Sequence, residues 1–268
     1  MAKELDKNLK KRIISRYDGD AAPRFAAAVG FEKSAIIAPA LTKAFSKAVH
    51  DHNFSPENDK VIDIGCGPFL LAMPLLRDGI HVDGVDITTD MITQAQHTLD
   101  LAIVHPDIDR AAIQLATDYA ELTPGSYQFA MLNFVHQCCD TRQSLVDLFS
   151  QANDLLKPGG RLVVMACHPD YLHAPHAAYA CNVDRNKPLK DGDAYGGDIY
   201  SEYGRAAFRI EDDHYWSSHT VQKAAEEAGF QVRNIEDIED KSNIARKGSV
   251  APAYLMFTFS KPYALPSP

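Results

Sequence analysis

"VIDIGCGPFL", residues 61–70, is an apolar run holding one acid, Asp63, and it stops abruptly on two glycines one residue apart. Glycines where a strand turns into a helix let backbone approach a ligand closely, although a Gly-x-Gly pair alone has many false matches. A dinucleotide fingerprint would place a third glycine three residues after Gly67, where this chain has Leu70. A phosphate-gripping loop would continue Gly-Lys-Ser or Gly-Lys-Thr, and here Pro68, Phe69 and Leu70 follow instead. Both phosphate readings weaken. The next apolar segment, HVDGVDI, ends in Asp86, about 20 residues beyond the glycines, where a carboxylate can accept from both hydroxyls of a ribose. Together the two features predict a ligand with a ribose and no need of a phosphate site.

Working outward, the strand-like segments VIDIG, HVDGVDI, AAIQLAT, QFAMLNFV and RLVVMAC are interleaved with helical stretches through LLAMPLLRDG, DMITQAQHTLDLAIV and TRQSLVDLFSQANDLL. That alternation predicts a doubly wound α/β fold, a mostly parallel sheet with helices on both faces. Upstream, residues 3–50 are rich in Ala, Lys, Leu and Ile at helical spacing and broken at Gly19, Pro23 and Gly30, which predicts two or three short helices. Downstream, the rhythm stops after Cys167 for about fifty residues, and so long an interruption is usually functional. It resumes with the helical SSHTVQKAAEEAGF and the strand-like QVRNIEDIE and AYLMFTFS. A single domain results: an N-terminal helical cap (1–55), a cofactor-binding core (56–167), a substrate-side insertion (168–217), and a closing helix with the last two strands (218–262).

With 268 residues, 46% of them hydrophobic, the chain can bury one sizeable core. A formal charge of −9 removes the basic face that nucleic acid requires. The N-terminus is charged, and no apolar run approaches the roughly 20 residues of a membrane span. A soluble, cytoplasmic protein with a small-molecule partner is expected, as monomer or homodimer. The five cysteines form an odd set without paired CxxC spacing, so reduced thiols are expected.

At this point the chain resembles the class I S-adenosylmethionine-dependent methyltransferases, whose Rossmann-like sheet has seven strands with the last antiparallel. VIDIGCGPF resembles the first motif of that family, GVDIT its second-strand acid, ATDYAEL its adenine-side segment and LKPGGRLVV the turn before its fifth strand. The resemblance implies S-adenosylmethionine as cofactor and S-adenosylhomocysteine as product. It places Gly65 and Gly67 against the methionine part, with Asp63 behind the loop. Asp86 would bind the ribose, Ile87 would line the adenine, and Asp118 would accept from the adenine amino group beside Tyr119. Asn133 would face the amino-acid end. The common third glycine of the family falls at Phe69, a departure that bears on the geometry of the loop. As non-ligand alternatives, Asp118 could be a helix cap, Asn133 a strand-end cap, and Gly159-Gly160 a plain helix-to-strand turn.

In a doubly wound sheet, ligands meet outside the carboxyl ends of the strands, which points to the loops NFVHQCCD and ACHPDYLHAPHAAYACN. His136 and His168 in those loops are the candidates for a base or orienting group, against an alternative of hydrogen-bonded structural histidines. Residues 168–216 hold six of the eleven tyrosines and the single tryptophan, residue types that make apolar walls with polar tips. Tyr171, Tyr200 and Trp216 are therefore candidate acceptor contacts, as is Tyr17 in the cap. Cys138 and Cys139 read as packing residues. The spacing of His168, His173 and His176 is uncommon for zinc, so no metal is expected. DGDAYGGDIY reads as a flexible or hairpin segment. Methyl transfer to oxygen, nitrogen or carbon of a metabolite is the leading expectation. The rivals are a nucleic-acid methyltransferase, a non-catalytic cofactor-binding scaffold, and an NAD-dependent oxidoreductase.

Overall fold

The computed structural model describes residues 6–32, 37–50, 54–56, 58–174, 176, 178–200, 205–239 and 252–263. Three helices come first: α1 (Lys7–Tyr17), α2 (Ala21–Glu32) and α3 (Ala38–His50). Then follow β1 (Val61–Ile64), α4 (Ala72–Arg77), β2 (Val82–Val85), α5 (Thr89–Leu101), β3 (Leu115–Ala116), β4 (Tyr127–Asn133), α6 (Arg142–Leu155) and β5 (Leu156–Cys167). The insertion holds β6 (Tyr179–Cys181), β7 (Ala194–Tyr200) and β8 (Ala206–His214). The chain closes through α7 (Ser218–Glu227), β9 (Gln231–Ile238) and β10 (Tyr254–Ser260).

The main sheet has the order β3-β2-β1-β4-β5-β10-β9. β1 to β5 pair in parallel, and β10 runs antiparallel to both β5 and β9. Period-two alternation divides the side chains between two faces. Along β4, Phe129 and Met131 enter a core with Phe45, Phe54, Phe69, Leu76 and Met165, whereas Ala130 and Leu132 join Ile62, Ile64, Phe149, Phe257 and Phe259 on the other side. Both faces are covered, so β1 and β2 are buried at every residue, Asp63 and Asp83 included.

Three sequence expectations change. Pro23 and Gly30 do not break the cap, because α2 runs through both. Pro23 sits in the first turn, where a backbone N–H has no intrahelical partner to lose, and Gly19, at φ +60°, makes the real break. The strand expected over AAIQLAT contracts to Leu115–Ala116, with Arg110–Ala112 in a single 3-10 turn capped by the Asp109 side chain. DGDAYGGDIY is not a flexible segment but part of a hairpin: Ala194–Tyr200 is the central strand of a second, antiparallel sheet, β6-β7-β8, paired with both its sequence neighbours.

That small sheet packs on the cap. Ala28 and Val29 of α2 meet Ile199 and Phe208 of the insertion in a third apolar cluster, joined by Tyr17, Phe25 and Ile210. Tyr17, Phe25 and Phe208 form an aromatic triad, with Tyr17–Phe25 centroids 5.0 Å apart and Phe25–Phe208 centroids 5.2 Å apart. Cap and insertion thus form one continuous cover over the carboxyl ends of β1, β2 and β4. No helix among the described residues is long and apolar enough to cross a membrane.

Candidate active site

The glycine turn after β1 is built so that its amides face inward. Gly65 and Cys66 both donate to the Val85 carbonyl, at 2.8 and 3.0 Å, and Phe69 N–H donates to Cys66 O at 2.9 Å. Gly67 N–H donates to Asp86 Oδ2 at 3.0 Å, and Pro68 has no N–H. A phosphate-binding loop turns such donors toward the anion. Here the end of β2 takes those of Gly65, Cys66 and Gly67.

Gly65 and Gly67 have φ of +65° and +50°. A Cβ on Gly65 would lie inside the Val135 side chain, and one on Gly67 would meet only Phe25 at 3.9 Å and would project into open space. Phe69, where a third glycine was expected, also lies in the left-handed region, at φ +62°, with its ring fully buried. The ring lies over Gly84 of β2, whose missing Cβ makes the room. The loop therefore keeps a glycine-like backbone, and the cost of that conformation is offset by burying an aromatic ring.

Around this turn lies a cavity of about 1340 Å³ including its open mouth. One side is lined by Gly65, Gly67, Asp86, Ile87, Tyr119 and Asn133. Asp86 accepts from Gly67 and Thr88 N–H, and burial raises its pKa above the usual carboxylate range. Asn133, at the end of β4, is buried, and neither its amide nitrogen nor its amide oxygen has a hydrogen-bond partner among the described residues. The rest of the lining is mainly apolar: Leu9, Ile13 and Tyr17 from α1, Phe25 and Val29 from α2, and Tyr179, Tyr195 and Ile199 from the insertion. All five cysteines also line it, and all are free thiols. Burial pushes Cys138 up to about 12, so it stands as a protonated, unreactive thiol.

The remaining sequence candidates lie off this lining. Asp63 is buried in β1 behind the loop. Asp118 caps the turn Tyr119–Glu121 through Ala120 N–H at 2.9 Å and pairs with Lys10 at 3.4 Å, while its neighbour Tyr119 lines the cavity. His136 is 2% exposed, its Nδ1 unpartnered, and burial lowers its pKa to about 4, which keeps it neutral. In the tight turn after β4 the next residue, Gln137, faces the cavity. His168 pairs with Asp237 of β9 at 3.1 Å, accepts from Asp170 N–H, and packs on the Tyr171 ring. Trp216 donates to Cys139 O at 3.1 Å and so supports the wall from behind. Tyr200 ends β7, its N–H on Ala178 O. Among the described residues no group of three or more His, Cys, Asp or Glu is placed to hold a metal.

Sequence reasoning missed the polar groups of the other walls, Gln137, Tyr195 and Asp213, and Arg16, which pairs with Asp213. Asp213 accepts from Arg16 Nη1 at 2.7 Å, and burial pushes it up to about 6. Part of the signal was present. Leu9, Ile13 and Tyr17 recur at i, i+4 and i+8, and Tyr195, Gly197 and Ile199 at i, i+2 and i+4, the two periods that place side chains on one face.

A family model described as a methyltransferase domain matches residues 61–160. Over 107 residues the chain is 34% identical to the ubiquinone biosynthesis O-methyltransferase of Xylella fastidiosa, covering 39% of this chain and 40% of that one. Over 126 residues it is 29% identical to the malonyl-(acyl-carrier protein) O-methyltransferase of Erwinia billingiae, covering 46% and 45%. The match thus spans less than half the length of these relatives. Among solved structures, the magnesium protoporphyrin IX methyltransferase of Synechocystis with bound S-adenosylhomocysteine aligns with a TM-score of 0.59 at 15% identity, covering 94% of this chain and 99% of that one, a likeness of fold. Residues 61–160 thus match a methyltransferase domain, and the fold of the chain is similar to that of S-adenosylmethionine-dependent methyltransferases.

Proposed function

We propose that this protein transfers a methyl group from S-adenosylmethionine to a small-molecule acceptor and releases S-adenosylhomocysteine. One observation carries the reading. The glycine turn, the Asp86 carboxylate and the unpartnered Asn133 amide share one cavity in which the amides of Gly65, Cys66, Gly67 and Phe69 are already engaged by the chain itself. A ribose-bearing ligand with an amino-acid end and no phosphate fits that set, whereas a dinucleotide does not.

In this reading each Asp86 oxygen, already holding one backbone N–H, accepts a ribose hydroxyl. Ile87 and Tyr119 flank the adenine. Gly65 and Gly67 let the backbone lie against the methionine part, and the Asn133 amide supplies both donor and acceptor to the amino-acid end. When bound, the cofactor supplies an electrophilic methyl on a sulfonium. The protein's part is to position the acceptor in line and to exclude water, which α1, α2 and the insertion sheet do with Leu9, Ile13, Tyr17, Phe25 and Ile199. The acidic chain favours a metabolite in the cytoplasm over nucleic acid.

The test is transfer of tritium from methyl-labelled S-adenosylmethionine to a metabolite extract, with a thermal shift against S-adenosylmethionine and against NAD. Label in an extractable small molecule, with a shift by S-adenosylmethionine alone, is expected. Binding without transfer to any compound would identify a non-catalytic binding protein, and a shift by NAD alone would overturn the cofactor assignment.

A further inference from the structure

One polar cluster interrupts the apolar lining, and three separate elements assemble it. Tyr195 of β7 and Asp213 of β8 are direct partners across the antiparallel ladder, a position that puts both side chains on the same face. Gln137, from the turn after β4, donates its amide N–H to the Tyr195 oxygen, which leaves the Tyr195 hydroxyl hydrogen free to donate. The Gln137 Oε1 is buried and has no partner among the described residues. Asp213 engages Arg16 of α1 through Oδ1. Gln137, Tyr195 and Asp213 all line the cavity, and between them they hold two unused acceptors and one unused donor.

We propose that this cluster is the acceptor subsite, that it reads a hydroxyl group on an uncharged, mainly apolar acceptor, and that Asp213 takes the hydroxyl proton as the oxygen attacks. The inference rests on the methyl-transfer reading above and adds to it the acceptor class and the base. In the step, the acceptor oxygen forms its bond to the methyl carbon, and the sulfur–methyl bond breaks with its electron pair staying on sulfur to give a thioether. The hydroxyl proton passes to the Asp213 carboxylate, so charge and atoms balance without a further reactant.

Three features select a hydroxyl. A carboxylate acceptor has no proton to give to Gln137 Oε1 and would confront Asp213. A cationic amine would enter a space where Arg16 already pairs with the carboxylate and Arg12 acts on it from the same helix. A neutral amine attacks before it loses its proton, whereas a neutral hydroxyl is a poor nucleophile until a base relieves it of one, which is the task a buried carboxylate performs. The charged and titratable groups facing Asp213 are Arg12, Arg16 and Tyr17 of α1, Cys138 after β4, Tyr195 of β7, and Asp212 on its own strand. Burial outweighs the two arginines and pushes Asp213 up to about 6, near the pH at which a base must both hold and release a proton.

The experiment uses the full chain, S-adenosylmethionine with an isotopically labelled methyl, and two acceptor sources: a metabolite extract and a panel of naphthol, naphthylamine and naphthoate. The labelled carbon is located by NMR. Label on oxygen is expected, with kcat/KM rising through about pH 6. Asp213→Asn should lower kcat about a hundredfold or more and abolish that rise, while S-adenosylhomocysteine binds as before. Should that variant lose S-adenosylhomocysteine binding, Tyr195→Phe decides, with KM raised about tenfold for the lost hydrogen bond supporting the subsite and an unchanged KM overturning it. Label on nitrogen or carbon, or an Asp213→Asn enzyme with the wild-type rate, overturns the subsite but leaves methyl transfer standing. No transfer to any compound overturns both.

Discussion

Gly65 and Phe69 show how narrowly the cofactor loop is specified. Gly65→Ala would combine left-handed strain with a Cβ inside Val135, so a loss of about 2–4 kcal/mol in stability is expected from chemical denaturation. In the Gly65→Ala, Val135→Ala double variant the overlap is gone and only the strain persists, so part of the loss should return. Phe69→Gly relieves the strained φ but removes a fully buried ring, a deletion that costs about 3–5 kcal/mol in typical cores. It should therefore lower the melting temperature, although glycine is the residue the backbone conformation prefers. A stabilised Phe69→Gly protein would show that the ring contributes little. The left-handed Phe69 could not be read from the sequence, because its cause is tertiary: the space over Gly84, fifteen residues away, is what admits the ring.

At the scale of elements, the account turns on α1. Its Leu9, Ile13 and Tyr17 line the cavity, while Lys10, Arg12 and Arg16 tie it to Asp118, Asp140 and Asp213 on three different parts of the chain. Arg12 also donates to Cys138 O at 2.9 Å, so it carries the middle of the clamp. Arg12→Ala should speed hydrogen exchange of the α1 amides and quicken release of S-adenosylhomocysteine several-fold, a loss of about 1 kcal/mol. Added salt should have a smaller effect on the variant than on the wild type. The apolar stripe of α1 was legible as a helical period, but its acidic partners lie more than a hundred residues away in sequence and left no local trace. The insertion was legible as a functional interruption rich in aromatics. Its antiparallel sheet was hidden because the paired Gly196 and Gly197 of β7 read as a turn. Both glycines face neighbouring backbone so closely that a Cβ would strike Ile210 O or Ala180 O.

The whole molecule carries buried ionisable groups whose pH dependences have opposite signs. His136 titrates near 4 when folded and near 6.5 when free, so the unfolded chain binds its proton first. Its contribution, about 3 kcal/mol, is present above pH 6.5 and is lost as pH falls toward 4. Asp213, raised to about 6, works the other way, adding stability as pH falls from 6 toward the free carboxylate value. Asp83 is 1% exposed. Burial alone would raise it, but His81 at 2.8 Å, the Gln114 N–H at 2.8 Å and Lys60 together hold it below the free value. Its share is present at neutral pH and is lost only as pH falls through that lowered pKa. The melting temperature should therefore decline gently between pH 6.5 and 4 and steeply below. His136→Asn should flatten the upper part, and an unaltered profile would show that His136 is solvated. The doubly wound α/β class was legible because alternating apolar periods extend over the core, and the seven strands with an antiparallel last one were implied by the resemblance. The missing third glycine and lysine weakened the phosphate readings, and the choice of cofactor came from the resemblance carried by VIDIGCGPF, GVDIT, ATDYAEL and LKPGGRLVV in their order. That choice is the central claim, and calorimetric titration of S-adenosylhomocysteine tests it most directly. The wild-type chain should bind, and Asp86→Ala should weaken binding about tenfold or more, the worth of roughly 1.5–3 kcal/mol of charge-assisted hydrogen bonds. No binding by the wild type, or equal affinity in both proteins, would contradict it.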